Sequence, residues 1–242
     1  MPDMPDMPDM PDMPDMPDMP NTRDADSPLI HETLYRGEEA MAQLVEARIV
    51  LCGAGTLGSQ LAEHLLRQGV RQMTVIDHDR VEQHNLGTQN YEAGDIGAFK
   101  VDALRARCYR ATGAEIAVVS QPLTERNAAK LLRASDLVLD TFDTSASRRL
   151  VTETCVALQR PCLHLGMHTD YGEIHWNEGY RVPGDAIAPD VCAYPLARNL
   201  ALLVVAIGAE VALRFLLAGE RENYSITLRD LTINREGQWN AG

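Results

Sequence analysis

No Cys-x-x-Cys pair occurs anywhere in this chain. Its five cysteines, at 52, 108, 155, 162 and 192, are an odd number. Neither a disulfide framework nor a four-thiolate zinc site is therefore expected, and a reduced, cytoplasmic setting is the expected location. Basic residues are also scarce: 22 Lys and Arg face 35 Asp and Glu, for a net charge of −13. A nucleic-acid partner is not expected, because no cationic stripe is available to neutralise phosphates. No basic stretch followed by an apolar one opens the chain, so no secretory signal is read. Nor is there an uninterrupted membrane-length run. Leu200 to Ala209 is apolar or small, but Glu210 and Arg214 follow, and both charges would enter the hydrocarbon of a bilayer. Their four-residue spacing predicts instead a buried helix with an internal ion pair, suited to a subunit interface.

What is present begins with a repeat. Residues 1–19 read MPD six times and then Met19, and the six Asp of that repeat account for almost half of the net charge. Proline at every third position blocks both helix and ladder, and the aspartates repel one another. Residues 1–26 are accordingly expected to be a disordered acidic tail, read as an inert repeat expansion in preference to an interaction segment. Residues 27–242 are expected to form a single domain, since one core commonly serves chains of up to roughly 250 residues.

The rest of the chain is organised around Ala47 to Ser59, ARIVLCGAGTLGS. Arg48 to Cys52 is a short apolar run rich in β-branched residues, the pattern of a buried parallel strand. Gly53-Ala-Gly55-Thr56-Leu-Gly58 follows, and Leu57, Leu61, Ala62, Leu65 and Leu66 then recur at helical spacing. Strand, glycine turn and helix in this order make a phosphate cradle. Gly53 permits the turn, Gly55 lets the backbone approach an anion, and Gly58 lets helix and strand pack closely. The helix N-terminus then faces the anion.

A helix over Pro28 to Glu46 precedes this unit, and further strands are read at Gln72–Asp77, Glu115–Ser120 and Asp136–Asp140. Helices are read from Lys100, over Thr124–Ala134 and over Ser145–Gln159. The fold class is thus α/β: a Rossmann-like, mainly parallel sheet flanked by helices. Pro161–Leu165 and Glu173–Trp176 read as two more strands, Asn177–Pro195 as a long loop, and Tyr224–Ile233 as a terminal strand. This last part is expected to be an antiparallel C-terminal extension. Asp77 ends the second strand about 20 residues beyond the glycine turn, where a carboxylate accepts ribose hydroxyls. Asp79 follows it, and Asp140 and Asp143 end the fourth strand. Strand ends of a parallel sheet line one crevice, so these acids are expected near the glycine loop, where they suit a divalent cation bridging phosphate oxygens. For Asp140, capping of the following helix is an equal alternative.

GAGTLGS, VIDHDRVEQHNLGTQ, DIGAFK, LVLDTFD and SRR stand in the order and spacing of one family. The chain resembles the ThiF/MoeB/HesA adenylyltransferases, which are related to ubiquitin-activating enzymes, over about residues 47 to 233. The resemblance implies ATP- and Mg²⁺-dependent adenylation of the C-terminal glycine of a small ubiquitin-fold or sulfur-carrier protein, by a homodimer. By position match Asp77 holds the ribose and Lys100 contacts the phosphates. Asp143 binds Mg²⁺, with Asp140 the weaker ligand. Asn85 and Gln89 complete a nucleotide pocket that also includes Gly53, Gly55, Thr56, Gly58 and Asp79.

Three departures from the family pattern stand out. Thr88 replaces an arginine of that pattern, with Arg80 or Arg148 as candidate substitutes. The arginine often lent across the dimer is matched by Arg36, at a different spacing from the first strand. The paired Cys-x-x-Cys zinc motifs are absent, so no structural zinc is expected. Cys192 lies where relatives that form a thioester or persulfide place their cysteine, and is equally readable as an ordinary loop thiol. Cys52, Cys108, Cys155 and Cys162 read as small core side chains. A metal site on Cys162, His164, His168 and His175 is not expected, because no second tight pair completes it. The competing readings are an NAD(P)-binding Rossmann oxidoreductase and a catalytically inactive partner subunit of an adenylating complex.

Overall fold

The computed structural model describes residues 27–184 and 195–236. Each β-branched run bounded by a glycine or aspartate turn becomes a strand of one eight-stranded sheet. In chain order the strands are β1 (Arg48–Cys52), β2 (Gln72–Ile76), β3 (Ala117–Val119), β4 (Leu137–Asp140), β5 (Cys162–His168), β6 (Tyr171–Trp176), β7 (Asn223–Thr227) and β8 (Thr232–Glu236). Their spatial order is 3-2-1-4-5-6-7-8. The first five are parallel, and β6, β7 and β8 are antiparallel to their neighbours.

The order reverses between β1 and β4, which pair with Cys52 opposite Asp140. In an open parallel sheet this switch point opens a crevice at the strands' carboxyl ends, because the connections leave in opposite directions. Both strands are buried on both faces, as apolar runs without alternation require.

Helices cover both faces: α1 (Ile30–Arg36), α2 (Glu38–Glu46), α3 (Thr56–Arg67), α4 (Lys100–Thr112), α5 (Ala128–Leu132), α6 (Ser145–Leu158) and α7 (Arg198–Ala218). α3 lies between α4 and α7 and packs its leucines into the larger core, whereas α5 and α6 enclose a smaller one on the other face. α7 is long and apolar enough to cross a membrane, yet half of it is buried in this protein. It packs on α3, β5 and β6, and Gly208 admits the side chain of Leu165 where a larger residue would collide.

Local boundaries differ from the sequence reading in three places. The helix expected over Pro28–Glu46 is broken at Gly37, whose φ of 87° is costly for residues with a Cβ. Only Ala128–Leu132 of the Thr124–Ala134 stretch is helical, because the Asn127 side chain accepts the Thr124 amide in a turn instead. The single terminal strand is a hairpin of β7 and β8, turned at Leu231 with φ 55°. The alternation that suggested one strand spans its first arm, its turn and the start of its second arm.

Candidate active site

β1 delivers the chain to Gly53, which takes φ +99° and brings its amide to the Ile76 carbonyl at 2.8 Å. A side chain at Gly53 would lie 2.8 Å from Thr141 Oγ1. Thr141, just past β4, donates its hydroxyl to the carbonyls of Cys52 at 2.9 Å and Gly53 at 3.2 Å. The glycine turn is therefore clamped at the switch point. α3 starts immediately beyond it with no side-chain cap, and its first intrahelical bond runs from Ser59 to the Gly55 carbonyl. A Cβ added to Gly55 would meet nothing within 4 Å. Uncapped amides and the positive helix end thus face open space, an arrangement suited to an anion.

Asp77 secures the other side of the turn. One carboxylate oxygen accepts the Ala54 amide at 2.7 Å and the other accepts the Asp79 amide at 2.8 Å. Burial pushes its pKa up against the pull of those two amides and of Lys100. Lys100 is the first residue of α4, and its Nζ lies 3.0 Å from Asp79 Oδ2. Its amide also donates to the Asp79 carbonyl at 2.8 Å, so lysine and aspartate are locked together from two directions. Asp77, His78 and Asp79 bring their oxygens and ring nitrogen within 4.8 Å of one another.

The loop from Glu82 to Tyr91 forms the next wall. Asn85 is buried, and its Oδ1 accepts the Glu82 amide at 2.9 Å, so it serves the loop's own turn. Gln89 Oε1 is buried with no partner among the described residues. The loop is tied back to α3 by Thr56 and Thr88, whose hydroxyls are 3.4 Å apart, and by Gln60 Nε2 donating to the Thr56 and Thr88 carbonyls. Tyr91 donates its buried hydroxyl to the Ala54 carbonyl at 2.6 Å. Burial pushes that phenol up, so it remains a donor. Thr141, Gln60 and Tyr91 were absent from the sequence reading. They work by holding backbone, and their residue types carry no pattern of their own.

Four expected residues are placed differently. Asp140 is wholly buried: Oδ1 accepts the Phe142 amide at 3.1 Å, and Oδ2 lies 2.8 Å from His164 Nδ1. His164 Nε2 lies 2.8 Å from Asn177 Oδ1, and Tyr180 stacks on the imidazole with ring centroids 3.8 Å apart. A carboxylate enclosed in this way is out of reach of a cation in the crevice, so the weaker Mg²⁺ role given to Asp140 is corrected to a structural one. The turn at Phe142 is the nearest feature to the helix-capping alternative, but the cap of α6 is Thr144, which accepts the Ser147 amide.

Arg148 is also buried. It donates to Tyr180 Oη at 2.9 Å and to the Leu165 carbonyl at 2.7 Å. Burial opposes its charge, but Asp140 and Tyr180 outweigh that and hold its pKa up. It is thereby removed as a substitute for the cation missing at Thr88. Arg80 donates to the Gly97 carbonyl at 2.6 Å and lies 4.0 Å over the Phe99 ring. Arg36, expected to reach across a dimer, is used within its own chain. It bonds Glu32 at 2.8 Å and Glu210 at 2.7 Å, and its side chain is 8% exposed. Glu210 also takes Arg214 at 3.0 Å, the internal pair expected from their spacing.

Asp143 is an exposed residue just past β4 and makes no ion pair among the described residues. Cys192 lies outside the described residues. Cys52 and Cys162 are fully buried, and burial pushes both thiols up, in keeping with core packing.

The model of the ThiF family matches residues 30–181. Sulfur carrier protein adenylyltransferase of Thermus thermophilus is 33% identical over 141 residues, which are 57% of this chain and 52% of that protein. Adenylyltransferase and sulfurtransferase MOCS3 of Bos taurus is 34% identical over 127 residues, 52% of this chain and 28% of that protein. The chain thus spans about half, or less, of the length of these curated relatives. Among solved structures, E. coli MccB with MccA-N7isoASN superposes with a TM-score of 0.75 at 16% identity, over 90% of this chain and 72% of that one. E. coli MccB with ATP superposes at 0.73 and 14% identity, over 88% and 72%. At such identities the likeness is one of fold.

Proposed function

Since this chain belongs to the ThiF family, we propose that it is an adenylyltransferase that uses ATP to activate the C-terminal carboxylate of a small ubiquitin-fold or sulfur-carrier protein. The observation that carries the reading is the uncapped start of α3 at the β1–β4 switch point, open in front of Gly55 and flanked by Asp77 and Lys100. In the proposed reaction a carboxylate oxygen attacks the α-phosphorus of ATP. The bond from that phosphorus to the bridging oxygen of the β-phosphate breaks, giving an acyl adenylate and pyrophosphate. Two anions must meet, so the protein has to supply positive potential where they do.

The amides of Thr56, Leu57 and Gly58 supply part of it. Lys100 supplies more, and its bond to Asp79 fixes it beside the crevice. Asp77 spends one lone pair of each oxygen on backbone amides, which leaves acceptor capacity for ribose hydroxyls. Gln89 Oε1 is a buried acceptor waiting for a donor, and buried polar atoms ordinarily have one. Asp143 is the carboxylate that would hold Mg²⁺, which when bound neutralises phosphate charge. The partner in this reading is the carrier's flexible C-terminus, and a homodimer is the proposed assembly.

ATP–pyrophosphate exchange with candidate carrier proteins tests the proposal. Exchange dependent on a carrier's C-terminal glycine, lost in Asp143→Asn and Lys100→Ala, supports it. Nicotinamide-nucleotide binding without ATP binding would replace it with the oxidoreductase reading. ATP binding without exchange for any carrier would leave an inactive partner subunit.

A further inference from the structure

Arg198 opens α7, and its guanidinium donates to the Gly87 carbonyl at 3.3 Å. That contact joins three features. Gly87 precedes Thr88, whose hydroxyl lies 3.4 Å from that of Thr56, the first residue of α3. The starts of α3 and α7 are thereby brought to one short segment, residues 87–88, with an arginine between them. α7 and α3 also pack against each other, and the Arg198–Gly87 contact lies at the exposed rim of that packing. Before α7, Leu196 bridges to Thr169 at the end of β5, which fixes where the helix begins.

The electrostatics of Arg198 are unusual for its place. A helix N-terminus is a positive pole, and acids are favoured there. The first turn of α7 holds no acid, and the residue at its start is a cation. Among the described residues Arg198 forms no ion pair, and the hydrogen bond it makes there is to a neutral carbonyl. No acid pairs with it among the described residues, so its charge adds to the positive ends of the two helices. The other cations with contacts along this rim are committed. Lys100, the phosphate lysine of the reading above, shares its charge with Asp79, Arg80 is held between the Gly97 carbonyl and the Phe99 ring, and Arg148 is buried beside Asp140.

We propose that Arg198 is a phosphate-contacting residue, completing with the starts of α3 and α7 the cationic wall that receives the triphosphate of ATP. The inference rests on the adenylyltransferase reading and adds to it the cation of the phosphate end. It also selects among nucleotides. A contact near the start of α3, beyond the ribose side held by Asp77, acts on the phosphate chain and leaves the nucleoside alone.

Calorimetric affinities for ATP, ADP and AMP, measured on the wild type and on Arg198→Ala, Arg198→Lys and Arg80→Ala, test this. Arg198→Ala is expected to weaken ATP about tenfold, the equivalent of about 1.4 kcal/mol. AMP affinity is expected to change little, so the preference for ATP over AMP collapses. Arg198→Lys is expected to restore part of it, and Arg80→Ala to leave it in place. Thermal melting of each variant verifies that it is folded. Wild-type ATP affinity in Arg198→Ala would overturn the inference, as would equal losses of ATP and AMP, or a loss confined to Arg80→Ala. If the wild type binds ATP and supports exchange but Arg198→Ala behaves identically, the inference alone fails. If the wild type binds no adenine nucleotide, the adenylyltransferase reading fails and takes the inference with it.

Discussion

Adding one methyl group at Gly58 should damage the fold, whereas the same addition at Gly55 should damage only the ligand site. A Cβ at Gly58 would lie 2.7 Å from Thr141 Oγ1, 2.8 Å from the Gly53 carbonyl carbon, and closer still to the Gly53 carbonyl oxygen. Ordinary contact begins near 3.4 Å. The obstructing Gly53 atoms are backbone and have no rotamer to retreat into, so α3 must move away from the turn by more than about half an ångström. Alanine improves helix propensity by about 0.8–1 kcal/mol, against an overpacking cost of about 1–3 kcal/mol, at its upper end when backbone is struck. The expected balance for Gly58→Ala is a loss of about 1–2 kcal/mol, or about 2–8 °C of melting temperature for a chain of this size. Nucleotide affinity should fall with it, because the moved helix carries the anion site. Gly55→Ala meets nothing within 4 Å, so its stability should stay within about 1 kcal/mol of wild type. Its ATP affinity should drop at least about tenfold, since the methyl group fills the space in front of the amides. Thermal melting and calorimetric titration with ATP read both effects. A Gly58→Ala protein that melts and binds normally, or a Gly55→Ala protein that binds ATP like the wild type, would refute the cradle.

Four further outcomes are expected. Asp140→Ala should cost about 3–5 kcal/mol in urea unfolding, because it strands His164 and Arg148 inside the protein. Asp143→Asn should leave stability within about 0.5 kcal/mol while abolishing exchange, and the reverse pattern would interchange the two roles. Burial pushes the Glu210 carboxyl up, but hydrogen bonds from Arg36 and Arg214 outweigh it and hold the group below its ordinary value of 4.5. Its contribution is therefore present above that value and lost as pH falls through the folded one. Glu210→Gln should lower melting by about 1–4 °C at pH 7, a partly exposed pair being worth about 0.5–1 kcal/mol, and by progressively less as the pH is lowered through the folded value. An unchanged difference across that range would remove the ion pair as the cause. Cys192→Ser should retain full pyrophosphate exchange, since attack on phosphorus needs no thiol. If it also loses a reducible adduct with the carrier, the acyl group passes through this residue, and loss of exchange would tie the thiol to the adenylation step.

The local code of this chain was legible wherever neighbours in sequence are neighbours in space. The strand from Arg48 to Cys52, the glycine turn and the leucine face of α3 follow from residue type and period, and Asp77 follows from its distance beyond that turn. The antiparallel extension was legible too, because short strands joined by tight turns have few other solutions. Glu210 and Arg214 met as their spacing required. The tertiary structure decided everything that depends on what lies across a gap. Asp140 and Asp143 are three residues apart and alike in type, yet one is enclosed by His164 from the next strand while the other faces solvent. Arg36 was matched only to an arginine lent across a dimer, and the fold instead sets it against Glu210, 174 positions away in the same chain. Arg198 carried no motif at all. It becomes a candidate because the packing of α7 on α3 sets two helix starts against the same pair of residues, and a sum of fields at one point is a property of the folded chain, which no stretch of sequence contains.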